Sequence, residues 1–503
     1  MPRRRMHVTD AAQAPLRAAL RELRWKLEIP EHFPPTAQAE ADSAALSPRI
    51  PTATGDVTTA DTLTDVTDLP LFTIDPPGSQ DLDQAMFLSR RTAPGATRPT
   101  ARSGYRVHYA IADAAAFVTP GGALDAEAHH RVTTLYFPDE RIPLHPYAIS
   151  ERAASLLPDQ DRPAVLWELD LDADGTVTTV SVRRALVRSR ARLDYAGVQR
   201  TLDDGTAEEP LALLRDIGIL REEQEVARGA ISLHVPEQEI VERDGGYTLA
   251  YRAPLPAEAW NAQISLLTGM AAAGLMLASG TGILRTLPTA PDGSVARLRL
   301  TARALGVDWP HHTSYAALIR TLDPRRTTHA AFLQECTTLL RGAGYTAFDG
   351  TAPDPAAAVH SAVAAPYAHV TAPLRRLVDR YASELCLAAS AGVGAPGWAR
   401  GALPGLPATM DTGTRRANQV ERECVDLVEA ALMRGRIGET FDALVVDVQE
   451  NDPTQGTVHL YDPAVIGRVA ARPDGPALPL GDRIRVRLAD ADPGRDPVRF
   501  MPV

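Results

Sequence analysis

The sequence has 503 residues, a hydrophobic fraction of 45% and a formal net charge of −11. This length suggests two to four domains, and the apolar content excludes a chain that is disordered throughout. The negative charge excludes a protein that is basic overall, but it leaves open nucleic-acid binding by a locally positive groove.

The cysteines predict the cellular compartment. Three are present, none in a CxxC pair, and no apolar segment follows the basic start Met1–Arg5, so we expect a protein of the reducing cytoplasm. The uncharged residues 264–284 are long enough for a membrane span, but Ser279–Gly282 would break the helix. We therefore expect a buried core helix and no membrane partner. We also expect a monomeric protein.

The first 66 residues are expected to form a helical extension and a linker. Residues 10–28 are predicted to be helical because leucines recur at helical spacing from Leu16 to Leu27. Residues 36–66 are rich in Ala, Thr, Asp and Ser, and this composition predicts a linker or loose extension.

Residues 67–436 show no clear break and are predicted to form one large α+β domain. The predicted strands are residues 69–74, 105–112, 164–170 and 176–186. The predicted helices are residues 211–227, 256–277, 374–388 and 412–433.

Residues 437–503 differ in pattern from the preceding domain. Short strand-like segments at residues 441–448, 456–460 and 483–488 are separated by turns rich in Asp, Pro and Gly. This pattern predicts a small β-barrel after the large α+β domain.

The strongest chemical signal is the acidic segment Thr73-Ile74-Asp75-Pro76-Pro77-Gly78-Ser79-Gln80-Asp81-Leu82-Asp83-Gln84. Residues i and i+2 of an extended chain point to the same side, so Asp81 and Asp83 are expected to converge. The Pro-Pro-Gly turn would bring Asp75 beside them. Close carboxylates repel unless a cation neutralises them, and Mg²⁺ prefers such oxygen ligands. The spacing alone also leaves open an Asp-rich turn that binds nothing.

A second segment, Tyr367–Arg376, carries adjacent arginines. Thr371 shortly before Pro373 is a plausible helix start, with the proline at the first helical position. Backbone N–H groups at such a start, together with Arg375 and Arg376, would hold a phosphate. An ordinary capped helix with solvated arginines is the alternative.

In their order along the chain, these and other segments resemble the motifs of the RNB family, which includes ribonuclease II and ribonuclease R. The motifs are Thr73–Asp83, His108–Asp113, Gly122–Asp125, Tyr136–Asp139, Ile142–Leu144, Ser155–Pro158, Ala191–Tyr195, Thr371–Arg376 and Val420–Glu423. The resemblance implies an RNB catalytic domain over residues 67–436, followed by an S1-type OB-fold over residues 437–503. The paired cold-shock domains of ribonuclease II do not fit into the segment that precedes the catalytic domain.

The resemblance also implies an activity, namely processive 3′→5′ hydrolysis of single-stranded RNA to 5′-mononucleotides. It implies a Mg²⁺ site, with Mn²⁺ as the alternative ion, at the four positions Asp75, Asp81, Asp83 and Gln84. Asp83 would be the most critical of these for catalysis. Arg375 would grip the scissile phosphate and stabilise charge in the transition state.

Further residues would bind the RNA. By the same resemblance, Tyr136 would stack on the terminal base, and Tyr195 would contact the sugars near the 3′ end, where the 2′-hydroxyl distinguishes RNA from DNA. Thr371 and Arg376 would help to hold phosphate, and Glu421 would line the RNA channel.

Three positions depart from the family pattern. Gln84 is neutral where a carboxylate is usual, Leu233 stands where a second base-stacking aromatic is expected, and Ser265 stands where the family has a glutamate. A neutral ligand at position 84 predicts a weak metal site, and hence a lower Mg²⁺ requirement in Gln84→Asp. The departures leave a second hypothesis open, which is an RNA-binding or regulatory RNB-domain protein with weakened catalysis.

Overall fold

The computed structural model describes residues 14–51, 57–58, 63–92, 102–243, 246–449, 451–460, 462–472, 475–493 and 497–503. Its helices are α1 (Ala14–Lys26), α2 (Pro35–Leu46), α3 (Ala123–Arg131), α4 (Tyr195–Asp203), α5 (Glu209–Ala227), α6 (Pro256–Ser279), α7 (Asp292–Ala304), α8 (Tyr315–Ile319), α9 (Thr327–Cys336), α10 (Pro355–Ala358), α11 (Leu377–Ala391), α12 (Gly397–Ala402) and α13 (Leu406–Met433).

The strands are β1 (Ile50–Pro51), β2 (Val57–Thr58), β3 (Thr64–Asp65), β4 (Leu71–Asp75), β5 (Gln84–Thr92), β6 (Arg102–Ala112), β7 (Leu135–Tyr136), β8 (Arg141–Ile142), β9 (Asp161–Leu171), β10 (Val177–Asp194), β11 (Glu237–Arg243), β12 (Gly246–Arg252), β13 (Thr281–Thr286), β14 (Gly344–Asp349), β15 (Val359–His360), β16 (Ala365–Pro366), β17 (Thr440–Gln449), β18 (Asp452–Leu460), β19 (Val465–Ala470), β20 (Arg483–Asp490) and β21 (Arg499–Pro502).

A six-stranded sheet in the order β3-β10-β4-β5-β6-β9 lies at the centre of the large domain. The sheet closes on itself, because β9 pairs with both β6 and β10. Tyr109 of β6 and Trp167 of β9 face each other in register and are fully buried in the largest hydrophobic cluster. Strands β4 and β10 run parallel with Asp75 opposite Asp194, which brings the acidic segment to the end of the sheet.

Helix α6 covers the sheet from one side. It packs against α5 and α11 and buries Ile264, Leu267 and Met276 in the same cluster as the strands. Among the described helices it alone is long and apolar enough to cross a membrane by length and composition. It ends at Gly280, whose left-handed backbone (φ 74°) suits glycine, within the segment where the sequence predicts a break.

The last five strands form a closed barrel in the order β17-β18-β19-β21-β20. Val458, Val486 and Phe500 fill its interior. Leu444 and Val446 of β17 instead belong to a cluster with apolar residues of α7 and α9, so the barrel packs against these helices. The predicted fold class, a large α+β domain followed by a small β-barrel, is confirmed.

The N-terminal segment is more ordered than its composition predicts. Helix α2 occupies part of the predicted linker over residues 36–66, because Ala41 is fully buried and Glu40 accepts a hydrogen bond from the backbone N–H of Leu124 at 3.0 Å. Tertiary packing rather than apolar periodicity selects this helix.

Part of the predicted N-terminal region lies outside the described residues. These parts are residues 10–13 of the predicted first helix and residues 52–56 and 59–62 of the predicted linker. Helix α1 covers the described part of the first prediction.

Candidate active site

One pocket of about 500 Å³ contains most of the residues that the sequence marks as functional. The marked residues on its wall are Asp75, Asp81, Asp83, Tyr136, Arg375 and Glu421. Four other marked residues are described but do not line this pocket, namely Gln84, Tyr195, Thr371 and Arg376. The structure therefore brings four acidic residues, one arginine and one aromatic residue together from segments far apart in sequence.

The acidic loop after β4 is held in a folded-back shape by one serine. The hydroxyl of Ser155 accepts a hydrogen bond from the N–H of Leu82 at 3.0 Å and donates one to the carbonyl of Gln80 at 2.6 Å. Ser155 is fully buried, so these bonds are shielded from water. They bring Asp81 and Asp83 to the pocket wall on which Asp75 lies.

Asp83 lies in an unusual electrostatic environment. Only 3% of it is exposed, its Oδ1 accepts the N–H of Leu374 at 2.8 Å, and its Oδ2 lies 3.3 Å from Nε of Arg375. Burial raises the pKa of Asp83 to about 8, since the lowering by Arg375 is smaller and Asp81 raises it further. The ionised carboxylate would be stabilised by additional positive charge in the pocket.

Asp81 already has a positive partner. Arg141 donates one hydrogen bond to Asp81 and another to Glu151, and all three residues line the pocket. Arg141 was not singled out from the sequence. It lies between two recognised motifs, and nothing local to it indicates a contact with a loop 60 residues away.

The carboxylates suit Mg²⁺ in kind, because Mg²⁺ prefers oxygen ligands and carboxylates supply only oxygen atoms. In the described residues no three acidic, histidine or cysteine side chains converge closely enough to form a metal cluster. Asp75, Asp81 and Asp83 share the pocket, and Asp81 would have to exchange its contact with Arg141 for a metal ion.

Arg375 is positioned through its backbone. Its carbonyl accepts hydrogen bonds from the hydroxyl of Thr133 at 2.8 Å and from the N–H of Thr134 at 3.0 Å. Residue 134 is two positions before Tyr136, so this pairing sets the arginine and the tyrosine on neighbouring parts of the pocket wall. The pKa of Arg375 is raised by Tyr136 and the acidic residues although burial opposes the shift, so its guanidinium stays charged.

The helix after this segment begins later than the sequence predicts. The predicted helix has Pro373 at its first position, whereas α11 begins at Leu377. The N–H of Leu377 is bonded to the carbonyl of Val132 at 3.0 Å, and Arg376 bridges to Thr133, so residues 373–376 form a turn against another segment. Arg375 therefore lies in a turn and not on the helix.

Thr371 and Arg376 lie behind the pocket wall. Two nitrogens of the Arg376 guanidinium contact Asp379 at 2.8 Å each, and the same carboxylate accepts the N–H of Ala372 at 2.7 Å. Asp379 is fully buried. The structure thus gives Arg376 a partner inside the protein and Thr371 a buried position, and the expected contact of these two residues with RNA stays a prediction.

Both the nitrogen and the oxygen of the Gln84 side-chain amide form hydrogen bonds. Its Nε2 donates to the carbonyl of Thr371, and its Oε1 accepts from the hydroxyl of Tyr109 at 3.0 Å. The Tyr109 hydroxyl also lies 2.8 Å from Oγ of Ser265. Because burial raises the pKa of Tyr109, its hydroxyl remains protonated and donates to Gln84, so that Ser265 donates to Tyr109. Two of the three departures from the family pattern therefore meet at one hydroxyl group.

We expect Gln84→Asp to lower stability without lowering the Mg²⁺ requirement. Aspartate cannot donate to the Thr371 carbonyl, and an unsatisfied partner of a part-buried bond costs roughly 1–3 kcal/mol. Urea unfolding and a Mg²⁺ titration of activity measure the two effects. A lower half-saturating Mg²⁺ concentration in Gln84→Asp would instead make position 84 a metal-ligand position, as expected from the sequence.

Tyr195 and Leu233 both lie outside the lining of the pocket. Tyr195 begins α4 directly after Asp194, the strand partner of Asp75, and its hydroxyl accepts a hydrogen bond from Asn261 at 3.0 Å. It therefore lies beside the acidic segment but does not line the described pocket. Leu233 packs against the cluster of α7, α9 and the barrel, so it is a packing residue and does not line the pocket.

Comparison with known proteins identifies both folded units. A family model described as "RNB domain" matches residues 63–389, and one described as "RNase II-type exonuclease C-terminal S1 domain" matches residues 439–503. Ribonuclease R of Escherichia coli is 25% identical over 478 residues, covering 84% of this chain and 55% of the relative. "Exosome complex exonuclease RRP44 homolog A" of Arabidopsis thaliana is 29% identical over 357 residues, covering 65% of this chain and 35% of the relative. The chain thus spans about half or less of the length of these relatives.

Solved structures share the fold. RNase R of Mycoplasma genitalium, in complex with ribose-methylated single-stranded RNA, has a TM-score of 0.79 at 19% identity and covers 96% of this chain and 77% of that chain. Yeast Ssd1, described as a pseudonuclease, has a TM-score of 0.64 at 16% identity and covers 84% of this chain and 52% of that chain. Since the RNB model matches more than half of the residues, the chain belongs to the RNB family of exoribonucleases and carries the S1 domain of ribonuclease II-type enzymes.

Proposed function

We propose that this protein is an active, metal-dependent exoribonuclease that degrades single-stranded RNA processively from its 3′ end and releases 5′-mononucleotides. The observation that carries the proposal is the single pocket formed by Asp75, Asp81, Asp83 and Arg375 together with Tyr136. We also propose that it acts in the cytoplasm, which agrees with the three free, buried cysteines, and that it is a monomer.

The charges of the pocket suit a phosphodiester substrate. Asp75, Asp81 and Asp83 would hold Mg²⁺, or Mn²⁺ in its place, and the ion when bound would polarise the scissile phosphate and activate water. Arg375 remains protonated and would donate to a phosphate oxygen as charge develops there. The Asp83 carboxylate, fixed by the N–H of Leu374, would orient the guanidinium of Arg375 through their 3.3 Å contact.

The wall of the pocket supplies contacts for a terminal nucleotide. Tyr136 lies opposite Arg141 in the short β7–β8 ladder, and it lines the same cavity as Glu421 of α13. Stacking on an aromatic ring favours single-stranded ends without sequence preference. The similar structure of Mycoplasma genitalium RNase R is a complex with single-stranded RNA, which supports RNA as the substrate of this protein.

We expect the purified protein to shorten 5′-labelled single-stranded RNA one nucleotide at a time in Mg²⁺ or Mn²⁺. EDTA should stop the reaction, because it removes the metal ion whose positive charge the three carboxylates cannot supply. DNA of the same sequence should be largely resistant. Gel electrophoresis of the time course measures step size and direction. Internal cuts, or cleavage that persists in EDTA, would reject this function.

A second function is favoured by a specific set of contacts. Gln84 and Ser265 stand where the family pattern has carboxylates, and both are hydrogen-bonded to the hydroxyl of Tyr109. Arg141 donates a hydrogen bond to Asp81, one of the expected metal ligands. These contacts suit an RNA-binding protein with little catalysis, and the likeness to Ssd1 shows that the same fold occurs in a pseudonuclease. Binding of the labelled RNA without shortening in either metal would favour this alternative.

A further inference from the structure

The N-terminal helix packs against residues of the pocket wall although it lies outside both matched domains. Helix α1 precedes residue 63, where the RNB match begins. Its buried face joins a cluster that also contains residues of the pocket wall. From α1 the cluster takes Leu16, Leu20 and Leu23, and from the wall it takes Leu135, Phe137, Val420 and Cys424. The helix therefore packs directly behind the wall that carries Tyr136.

Arg24 makes the polar contacts between α1 and the pocket wall. Only 4% of the residue is exposed, and two of its nitrogens contact the carboxylate of Asp139 at 2.9 and 3.3 Å. Its Nε lies 2.8 Å from Glu140 and 3.1 Å from Glu31. The guanidinium carbon also lies 5.2 Å from the centre of the Phe137 ring. One buried arginine thus holds three carboxylates and one ring, an arrangement that needs its planar fork of donors.

Three of the residues that Arg24 contacts, Phe137, Asp139 and Glu140, belong to the turn directly after Tyr136. Residues 137–140 connect β7 to β8, and the N–H of Phe137 bonds to the carbonyl of Glu140 at 2.9 Å. Each strand of this hairpin has two residues, and so short a hairpin is not stable by itself. Its position therefore depends on contacts from outside. Without Arg24, the carboxylates of Asp139, Glu140 and Glu31 would repel one another.

We propose that Arg24 is a positioning residue that fixes this turn and thereby holds Tyr136 in place for the 3′-terminal nucleotide of an RNA. The role in RNA recognition rests on the proposed function of the pocket. A chain lacking this contact would still fold its RNB domain, but its pocket wall would move and bind the RNA end less tightly.

Equilibrium binding tests the proposal. A fluorescent single-stranded RNA oligonucleotide, labelled at its 5′ end, is titrated in EDTA with the full chain carrying Arg24→Ala, Arg24→Lys or Arg21→Ala. Arg21 is on the same helix but exposed, so Arg21→Ala removes the same charge from the same element. Arg24→Ala should weaken binding about tenfold, within the range given by loss of one stacked base. Arg24→Lys should recover part of the affinity, and Arg21→Ala should change it less than about twofold.

The double variant with Tyr136→Ala separates positioning from general stability. If Arg24 acts through Tyr136, Arg24→Ala should have no further effect once the ring is gone, whereas independent sites would multiply their effects. Equal affinities of Arg24→Ala and Arg21→Ala, or multiplicative effects in the double variant, would overturn the proposal. Should Arg24→Ala fail to fold, Asp139→Asn breaks the main contact from the other side and is expected to show the same dependence on Tyr136.

The binding readout keeps this inference separate from the activity. A wild type that binds RNA but does not shorten it in any metal would reject the proposed enzyme and would leave the Arg24 comparison valid. An active wild type in which Arg24→Ala binds normally would support the enzyme and reject the role of Arg24.

Discussion

Asp83→Asn should abolish cleavage while RNA binding survives. Asparagine has nearly the same shape, and its carbonyl oxygen can still accept the N–H of Leu374 that now reaches Asp83 at 2.8 Å. The substitution removes the carboxyl group on which metal binding would depend and which lies 3.3 Å from Nε of Arg375. We therefore expect the fold and the pocket shape to persist without the chemistry. A variant with more than a few per cent of the wild-type rate would refute the assignment of Asp83 to the metal.

The control for this prediction lies in the same pocket. Glu140 lines the cavity, and its loss leaves Arg24 with the two contacts to Asp139, so Glu140→Gln removes one negative charge without disturbing the turn greatly. Glu140→Gln should keep most of the cleavage activity. Single-turnover cleavage of end-labelled RNA measures the rate, and fluorescence anisotropy in EDTA measures binding for both variants.

The pH dependence of stability gives an independent measure of Asp83. Since burial raises the pKa of Asp83 to about 8, the folded metal-free protein keeps a proton that the unfolded chain releases above its ordinary carboxyl pKa. The stability that this group contributes is therefore lost as the pH rises between the ordinary value and about 8. Asp83→Asn should lack this loss, so in EDTA the variant should gain stability relative to the wild type as the pH rises. Urea unfolding at a series of pH values measures the difference.

The regular elements that the sequence predicted well are those with long, uninterrupted patterns. The strand predicted at residues 105–112 lies within β6, and the helix predicted at residues 412–433 ends where α13 ends. Helix α2 was missed because Ala, Thr and Ser give it no apolar stripe, and its stability comes from Ala41 and from the contact of Glu40 with Leu124. A local sequence pattern predicts a helix or strand only where that element carries its own apolar stripe.

The composition of the pocket was predictable from motifs, but its internal pairing was not. Asp75, Asp81 and Asp83 lie close in sequence, so their common position follows from one turn and a strand. The contact of Arg141 with Asp81 spans 60 residues, and that of Arg24 with Asp139 spans 115 residues. No local periodicity encodes such pairs, because they arise only when the fold brings segments that are distant in sequence together.

Arg375→Ala should slow turnover by a factor on the order of 10²–10³, the usual cost of losing one donor to a transition state. The neighbouring Arg376→Ala is the matched comparison, because it removes the same group one residue away. Arg376 holds the fully buried Asp379 with two contacts at 2.8 Å, so its loss leaves an uncompensated buried carboxylate. Breaking a buried pair in this way costs roughly 3–5 kcal/mol of stability.

The two adjacent arginines should therefore separate catalysis from folding. Arg375→Ala should lower kcat strongly with a small change in unfolding midpoint, because more than a quarter of its side chain is exposed and its fixed backbone contacts to Thr133 and Thr134 remain. Arg376→Ala should lower the unfolding midpoint strongly, and the fraction that stays folded should cleave at a rate closer to the wild type. Rapid-quench kinetics and urea unfolding on the same preparations measure both quantities. If Arg376→Ala is stable but catalytically dead, Arg376 contacts the RNA during the reaction and its bond to Asp379 is exchanged when substrate binds.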